Sequence, residues 1–340
     1  MAQDYKKAFK WYYESADNGY SLGQNSLGNC YYHGLGVVQN YDKAVELYLK
    51  SAYSGCAEAQ YNLGNCYYYG HGEIKNDRSA YRWYSRSAKK GYSLGQNGLG
   101  NCYYHGLGVV RNYIRAFELY LKSANNGCAE AQNNLGNCYY YGYGVNKDDE
   151  QAFKWYYMSA NNGNGCAQYI IAGFYQNGIN VVQDFKQAVE WYSKSADNGY
   201  PLGQNSLGNC YYHGLLGVLK QNYDKAFEWY SKSANNGCAR GQYNLGNCYF
   251  YGHGVNKDIN KAFEWYLKSA NNGDEMGQYS LGLCYQSGQG VIKNRNKAFK
   301  WYLKSADNGC VEAQNILKNC FGISDSNYNK TLKELFNNYF

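Results

Sequence analysis

Proline, methionine and histidine are scarce in this sequence, at one, three and five residues in 340. No stretch approaches the roughly 18 to 20 apolar residues that a membrane-spanning helix needs, which excludes direct insertion of that kind. The chain opens Met1-Ala2-Gln3-Asp4-Tyr5, with no apolar segment behind a basic one. No secretory signal is visible, and the expected location is cytoplasmic. Lys and Arg (33) exceed Asp and Glu (26) only modestly, for a formal charge of +7. Most of that charge recurs at regular intervals, unlike the concentrated patch of a nucleic-acid binder, so no nucleic-acid partner is expected. His-Glu-x-x-His, Gly-x-x-x-x-Gly-Lys and Gly-x-Ser-x-Gly are all missing, and with them the chemistries those spacings serve. What fills the sequence is Tyr (43), Gly (40) and Cys (13). Such a bias is expected when one short unit has been copied many times. A Tyr ring can pack in a thin core while its hydroxyl reaches water or a polar group.

Register carries the fold. A Gly recurs at Gly19, Gly55, Gly91, Gly127, Gly163, Gly199, Gly237, Gly273 and Gly309, and an Ala at Ala8, Ala44, Ala80 and onward to Ala298. Both series step by 36 residues except for one step of 38, an insertion around Leu216 to Lys220 in a loop of the sixth copy. Insertions settle where backbone is exposed. In the second copy Ala57 to Gly70 reads as a helix A and Asp77 to Lys90 as a helix B. Ala59, Leu63, Cys66, Tyr67 and Gly70 fall at i, i+4, i+7, i+8 and i+11, one apolar stripe at helical spacing. Gly pairs such as Gly70 and Gly72 end helix A, where a left-handed backbone suits glycine. Two helices of about 13 residues with short connections make an antiparallel hairpin, and a hairpin that cannot bury its stripe alone stacks on the next.

The expected architecture is therefore all-α, an α-solenoid of antiparallel helix pairs. A half repeat spans 1–19, full repeats 20–309 and a terminal helix A 310–320. Residues 321–340 form a tail, in which Leu332, Leu335, Phe336 and Tyr339 lie at i, i+3, i+4 and i+7 and predict a capping helix over 327–340. Gly28, Gly64, Gly100, Gly136 and their equivalents sit inside helix A, where Gly costs about 1 kcal/mol against Ala. That recurrence implies a neighbouring helix at close range. The Gln one turn earlier (Gln24, Gln60, Gln96, Gln132) is expected to bond exposed loop backbone.

The pattern Ala-x-x-x-Leu-Gly-x-x-Tyr-x-x-Gly-x-Gly-Val, followed by Lys-Ala-x-x-Trp-Tyr-x-Lys-Ser-Ala, resembles the Sel-one-like repeat family, relatives of the tetratricopeptide repeats. It is clearest at Ala131 to Leu135-Gly136, Tyr141 to Val145, and Lys261-Ala262 to Ser269-Ala270. The resemblance covers about residues 4 to 320 and implies a right-handed superhelix whose helix A lines the concave surface. Departures are the near absence of Pro after Gly-Val and a weak fifth copy, where Ile171-Ala172-Gly173-Phe174 replaces Leu-Gly-Asn-Cys.

Eight cysteines (Cys30, Cys66, Cys102, Cys138, Cys210, Cys248, Cys284, Cys320) occupy one helix A column, and Cys56, Cys128, Cys238 and Cys310 follow the inter-repeat Gly. Within a copy the two sites lie roughly 15 Å apart by helical rise. Equivalent cysteines of stacked helices lie about 10 Å apart, and a disulfide needs Cα atoms within about 7 Å. The expectation is reduced thiols acting as small core groups, with zinc or redox roles as the alternative and no cofactor required. The histidines fall in hairpin turns, His33, His105 and His213 in one column and His71 and His253 in another; they read as solvated. Arg78, Arg82 and Arg86 form a basic stripe at i, i+4, i+8, either a face for an acidic partner or a solvated helix surface.

A second stripe on helix A lies about 180° from Leu63 and its equivalents. It comprises Asn25, Asn29 and Tyr32; Tyr61, Asn65 and Tyr68; Asn97, Asn101 and Tyr104; Asn133, Asn137 and Tyr140; Asn205, Asn209 and Tyr212; and Tyr243, Asn247 and Phe250. Aromatics with amides suit peptide recognition, giving contact area with few rotors and adaptable hydrogen bonds. An unselected solvent face copied by duplication is the bland alternative. The resulting expectation is a non-enzymatic scaffold or adaptor for protein or peptide partners, with oligomeric state left open. A cysteine-rich ligand binder or hydrolase of the same family and a structural spacer are the rival readings.

Overall fold

In a computed structural model the described residues are 2–215 and 218–321. The expected capping helix over 327–340 lies outside them. The chain divides into two compact units, Met1–Ala167 and Gln168–Phe340. Among the described residues there are eighteen helices. The first unit holds α1 (Ala2–Asp17), α2 (Ser21–His33), α3 (Tyr41–Tyr53), α4 (Ala57–Tyr69), α5 (Asp77–Lys89), α6 (Ser93–His105), α7 (Tyr113–Asn125), α8 (Ala129–Tyr141) and α9 (Asp149–Asn161). Helix α10 (Gly165–Asn177) contains the division. The second unit continues with α11 (Phe185–Asp197), α12 (Pro201–His213), α13 (Tyr223–Asn235), α14 (Ala239–Tyr251), α15 (Ile259–Asn271), α16 (Glu275–Ser287), α17 (Arg295–Asp307) and α18 (Val311–Phe321). Even-numbered helices are the A helices and odd-numbered ones the B helices, and consecutive helices pack on one another from α1 to α9 and from α11 to α18, as an all-α hairpin array requires.

The helices begin and end for local reasons. Asn40, Asn76, Asn112 and Asp148 stand at the N-caps of α3, α5, α7 and α9, each side chain accepting from the third amide beyond it. That contact satisfies one of the orphan donors of the first turn. Helix α4 stops at Gly70, whose φ of 77° is left-handed and whose N–H bonds Cys66 O at 2.9 Å. Gly72 is constrained twice, by a φ of 69° and because a Cβ there would stand 2.7 Å from Tyr41 O of the preceding hairpin. In the sixth copy Leu215 N–H donates to Leu219 O at 2.9 Å and Leu219 N–H to Leu215 O at 3.0 Å.

Each hairpin core is narrow: Ala44, Tyr48 and Ala52 of α3 and Leu63 and Cys66 of α4 are all buried. The glycine inside helix A makes room for an aromatic ring. A Cβ on Gly64 would lie 2.6 Å from the Tyr84 ring of α5. The hydroxyl of the same Tyr84 donates to Asn65 Oδ1 at 2.7 Å, so neighbouring residues of α4 receive its face and its tip. Ser87, fully buried, donates to Ala57 O at 2.7 Å and ties the open end of that hairpin. The glutamine of helix A differs from expectation. Gln60 is buried, and its amide donates to Ala52 O in the last turn of α3 at 3.1 Å, a helix-terminal carbonyl rather than exposed loop backbone.

Candidate partner-binding surface

The Tyr/Asn stripe is not turned to open solvent: Asn25, Asn97, Asn133 and Asn205 are buried and its other members half-buried. Its asparagines face the paired helix B. Asn29, Asn65, Asn101 and Asn137 each accept a tyrosine hydroxyl at 2.7 Å, from Tyr48, Tyr84, Tyr120 and Tyr156. Asn209 and Asn247 accept in the same way, at 2.7 Å from Tyr230 and Tyr266. A buried tyrosine hydroxyl needs such a partner. In the fifth and eighth copies the Asn is replaced by Gly173 and Leu283, and there Tyr192 and Tyr302 donate instead to Gln176 and Gln286, three residues further on. Burial raises the pKa of these core tyrosines, so they remain hydrogen-bond donors. In the second, fourth and seventh copies a further Asn joins: in the fourth, Asn134 Nδ2 reaches Asn97 Oδ1 at 3.0 Å and Asn101 Oδ1 at 3.3 Å.

The tyrosines of the stripe are of two kinds. Tyr32, Tyr104 and Tyr212 are built into aromatic boxes with the hairpin turn of the following copy. The Tyr32 hydroxyl pairs with His71 Nδ1 at 2.7 Å, and the His71 ring stacks on Tyr41 with centroids 4.7 Å apart and on Tyr69 at 5.6 Å. His253 repeats this arrangement with Tyr212, Tyr223 and Tyr251. In the third box Tyr143 takes the histidine's place, stacked on Tyr113 at 5.0 Å. His71 and His253 are thus half-buried packing groups, a correction to the solvated-turn expectation, whereas His33, His105 and His213 are exposed. Burial also pushes the hydroxyls of Tyr32, Tyr104 and Tyr212 up to about 12. Tyr68, Tyr140 and Phe250 instead lie beneath lysines, with Lys75 Nζ and Lys147 Nζ each 5.5 Å and Lys257 Nζ 5.8 Å from the ring centroids.

Several of these residues meet in cavities of the first unit. One, of about 430 Å³, is lined by Tyr61, Asn65, Tyr68 and Asn101 together with Asn133 and Glu130, among others. A smaller one, of about 190 Å³, gathers Asn101, Tyr104 and Asn137 against Tyr120 and Asn134. In the second unit Asn209 lines a cavity of about 270 Å³ with Gln176 and Tyr192. Tyr243, Asn247 and Phe250 line none of these. The sequence reading missed Gly98 and Glu130. Gly98 stands where the second and fourth copies carry Asn62 and Asn134, and the Tyr84 ring packs against it beside the larger cavity, 2.8 Å from where a Cβ would stand. Arg78, Arg82 and Arg86 lie exposed on α5, Arg86 over the Trp83 ring at 4.4 Å.

The cysteines are free thiols. Burial pushes the thiols of Cys66, Cys102 and Cys138 up to about 12, which holds them protonated and unreactive. Among the described residues no group of three His, Cys, Asp or Glu could hold a metal ion. No helix among them is long and apolar enough to cross a membrane.

Short A/B hairpins in register, with a glycine of helix A such as Gly64, Gly100 or Gly136 seating a tyrosine of helix B, define a helical-repeat protein of the kind that works by contact. The Sel1 repeat model matches residues 1–20, 21–56, 57–92, 93–128, 129–164, 167–200, 201–238, 239–274 and 276–310, and the chain belongs to the Sel1 repeat family. Repeats of this family generally mediate protein–protein interaction on a fold that is generally non-catalytic. Among solved structures, a Sel1 repeat protein from Oxalobacter formigenes is similar at 29% identity and a TM-score of 0.59, over 91% of this chain and 89% of that one. The c5321 protein, described as a protective antigen of uropathogenic Escherichia coli with an SLR fold, is 29% identical with a TM-score of 0.50, over 98% of this chain and 79% of its own. No curated protein matches the chain in sequence.

Proposed function

We propose that the chain is a non-catalytic adaptor that holds extended segments of protein partners against the helix A face, through the stripe from Asn29 to Phe250. The array of residues 1–320 is the interacting module in this reading, and the tail 321–340 is not part of that module. One observation carries the proposal: the tyrosine-to-asparagine hydrogen bond repeats from copy to copy at 2.7 Å. With Oδ1 held by a hydroxyl, the part of the carboxamide left for a ligand at Asn29, Asn101, Asn137 and Asn209 is its NH₂ group, oriented in advance; at Asn65 and Asn247 that group already meets the hydroxyls of Tyr61 and Tyr243. A row of oriented donors suits the carbonyls of an extended peptide, and preorganisation lowers the entropy lost on binding. The aromatic faces of Tyr68 and Tyr140 supply contact area beside those donors. The exposed Arg78, Arg82 and Arg86 provide a secondary face for an acidic partner segment, and no nucleic-acid partner is proposed. Protonated core thiols suit a reducing compartment, and we place the protein in the cytoplasm on that ground.

Panning a random dodecapeptide display library on the full chain tests the reading. Tyr68→Ala combined with Tyr140→Ala removes contact surface while leaving the tyrosine–asparagine hydrogen bonds and the Tyr32–His71 pair in place. Peptides selected by the parent chain should be lost on this variant. Their undiminished retention, with an unchanged helical circular dichroism spectrum, would sink the proposal.

A further inference from the structure

The cavity of about 430 Å³ in the first unit has a charge character unlike the rest of the chain. Its lining includes the Glu130 carboxylate and neither Lys nor Arg, in a protein whose formal charge is +7. Glu130 is exposed and makes no ion pair among the described residues; its one side-chain partner is the weak Cys128 Sγ donor at 3.3 Å. Asn133 lines the same cavity at 9% exposure, and its Oδ1 has no hydrogen-bond partner among the described residues. Tyr61 presents a partly buried ring against Tyr84 and Tyr92, with centroids 5.9 and 5.8 Å away. A carboxylate, a surplus amide acceptor and aromatic faces together ask for a cation that is also a hydrogen-bond donor.

The second unit holds an internal precedent. Tyr243 occupies in the seventh copy the register position that Tyr61 occupies in the second. There the chain supplies its own cation: Arg240 sits over the Tyr243 ring at 5.6 Å and pairs with Asp274 at 2.7 Å and with Glu275. In the second copy the position of Arg240 is taken by Glu58, so no guanidinium of the chain can play that part. The Glu130 charge nonetheless reaches Tyr61: its field is among the influences that raise the Tyr61 hydroxyl, behind burial.

We propose that this cavity is the anchor pocket for one basic side chain, Arg or Lys, of a bound peptide segment, with Glu130 as counter-charge and Tyr61 as the aromatic wall. The inference rests on the reading that peptide segments dock along helix A, and it adds a sequence preference to that reading. It places specificity in the second to fourth copies, while the asparagine column supplies sequence-independent contacts elsewhere.

The same dodecapeptide library, panned in parallel on the full chain and on Glu130→Gln, separates the two ideas. The parent chain should enrich Arg or Lys at one position of the selected peptides. Glu130→Gln should still select peptides but without that enrichment. A synthetic peptide from the parent selection should bind Glu130→Gln about tenfold more weakly in fluorescence anisotropy, the effect expected for a hydrogen bond to a charged group. Its citrulline or norleucine analogue should lose comparably on the parent chain and little on the variant. Peptides selected without a basic preference, or a preference that survives Glu130→Gln, overturn the anchor pocket and leave the adaptor reading standing. No selection by either chain overturns both. Glu130 is exposed in the first turn of α8, so its replacement should lower the thermal melt only slightly, and that control identifies any loss caused by unfolding.

Discussion

A glycine inside a helix is ordinarily a place where alanine stabilises, by about 1 kcal/mol. Two glycines of this chain separate that rule from its exception. At Gly173 of α10 nothing lies within 4 Å of where a Cβ would stand, so Gly173→Ala should raise stability by about 1 kcal/mol. At Gly64 the same atom would come 2.6 Å from the Tyr84 ring, which is buried and held at its tip by Asn65. Overpacking of a fixed ring costs about 1 to 3 kcal/mol, more than the helix propensity returns, so Gly64→Ala should destabilise. Urea denaturation of the two variants decides the matter, and equal signs would contradict the packing argument. The thiol column answers to pH. Cys66, Cys102 and Cys138 in it titrate near 9.0 when unperturbed and are pushed up to about 12 by burial. The unfolded chain therefore releases these protons first. Stability is fully present below pH 9 and falls as pH rises from about 9 to 12. Denaturant midpoints measured across that range should decline, and Cys66→Ala and Cys138→Ala should flatten the decline. A thiol reagent at pH 8 should label exposed Cys320 far faster than Cys66.

At the scale of the helix pair, closure depends on a glutamine that serves two neighbours. Gln132 donates to Ala124 O at 3.2 Å and accepts from Asn162, the C-cap of α9, at 2.9 Å. The equivalent asparagines of later copies do likewise. In the second copy the C-cap is Lys90, and the buried Gln60 Oε1 has no partner among the described residues. A buried orphan acceptor costs about 1 to 3 kcal/mol, while a lysine at a helix C-terminus contributes about 0.3 to 1 kcal/mol. Lys90→Asn should therefore stabilise the first unit on balance, read as a higher urea midpoint. The third copy sets a limit on this repair, because Gln96 Oε1 is unpartnered with Asn126 already in place. Register made the helices legible. The Gly pairs gave the ends of α4 and its equivalents, and the alanine and leucine stripes gave the buried faces. Helical periodicity alone put the asparagine stripe opposite Leu63, since it counts residues around one helix and is silent on the partner helix. What it lacked was the reach of Tyr84, whose long ring crosses Gly64 and brings a hydroxyl round to the far side. A signal was present in the sequence: where Asn is lost at Gly173 and Leu283, Gln appears three residues later. The aromatic boxes left a similar trace, with Tyr41 and Tyr223 opening helix B in the copies that precede His71 and His253.

At the scale of the whole chain, repeats that touch only their neighbours make stability a sum of local terms. The chain divides within the fifth copy, between Ala167 and Gln168. That copy is also the one in which Ala172, Gly173 and Phe174 replace the Gly-Asn-Cys of its neighbours. A nearest-neighbour array should respond to substitution only near the substituted copy. Gly64→Ala should therefore speed amide exchange in α4, α5 and α6 and leave α13 to α17 unchanged. Gly173→Ala should slow exchange in α10 and α11 and leave α2 to α5 unchanged. Hydrogen exchange followed by peptide-level mass spectrometry reads both variants in one experiment. If either substitution shifted exchange evenly from α1 to α18, the molecule would be folding as one cooperative body, and a pocket in the second to fourth copies would be coupled to every other repeat. Exchange confined to one unit has the opposite consequence. A partner anchored near Glu130 would then order the first unit without altering the stability of the second, leaving the asparagine column of the second unit free to engage the rest of an extended segment or a different one.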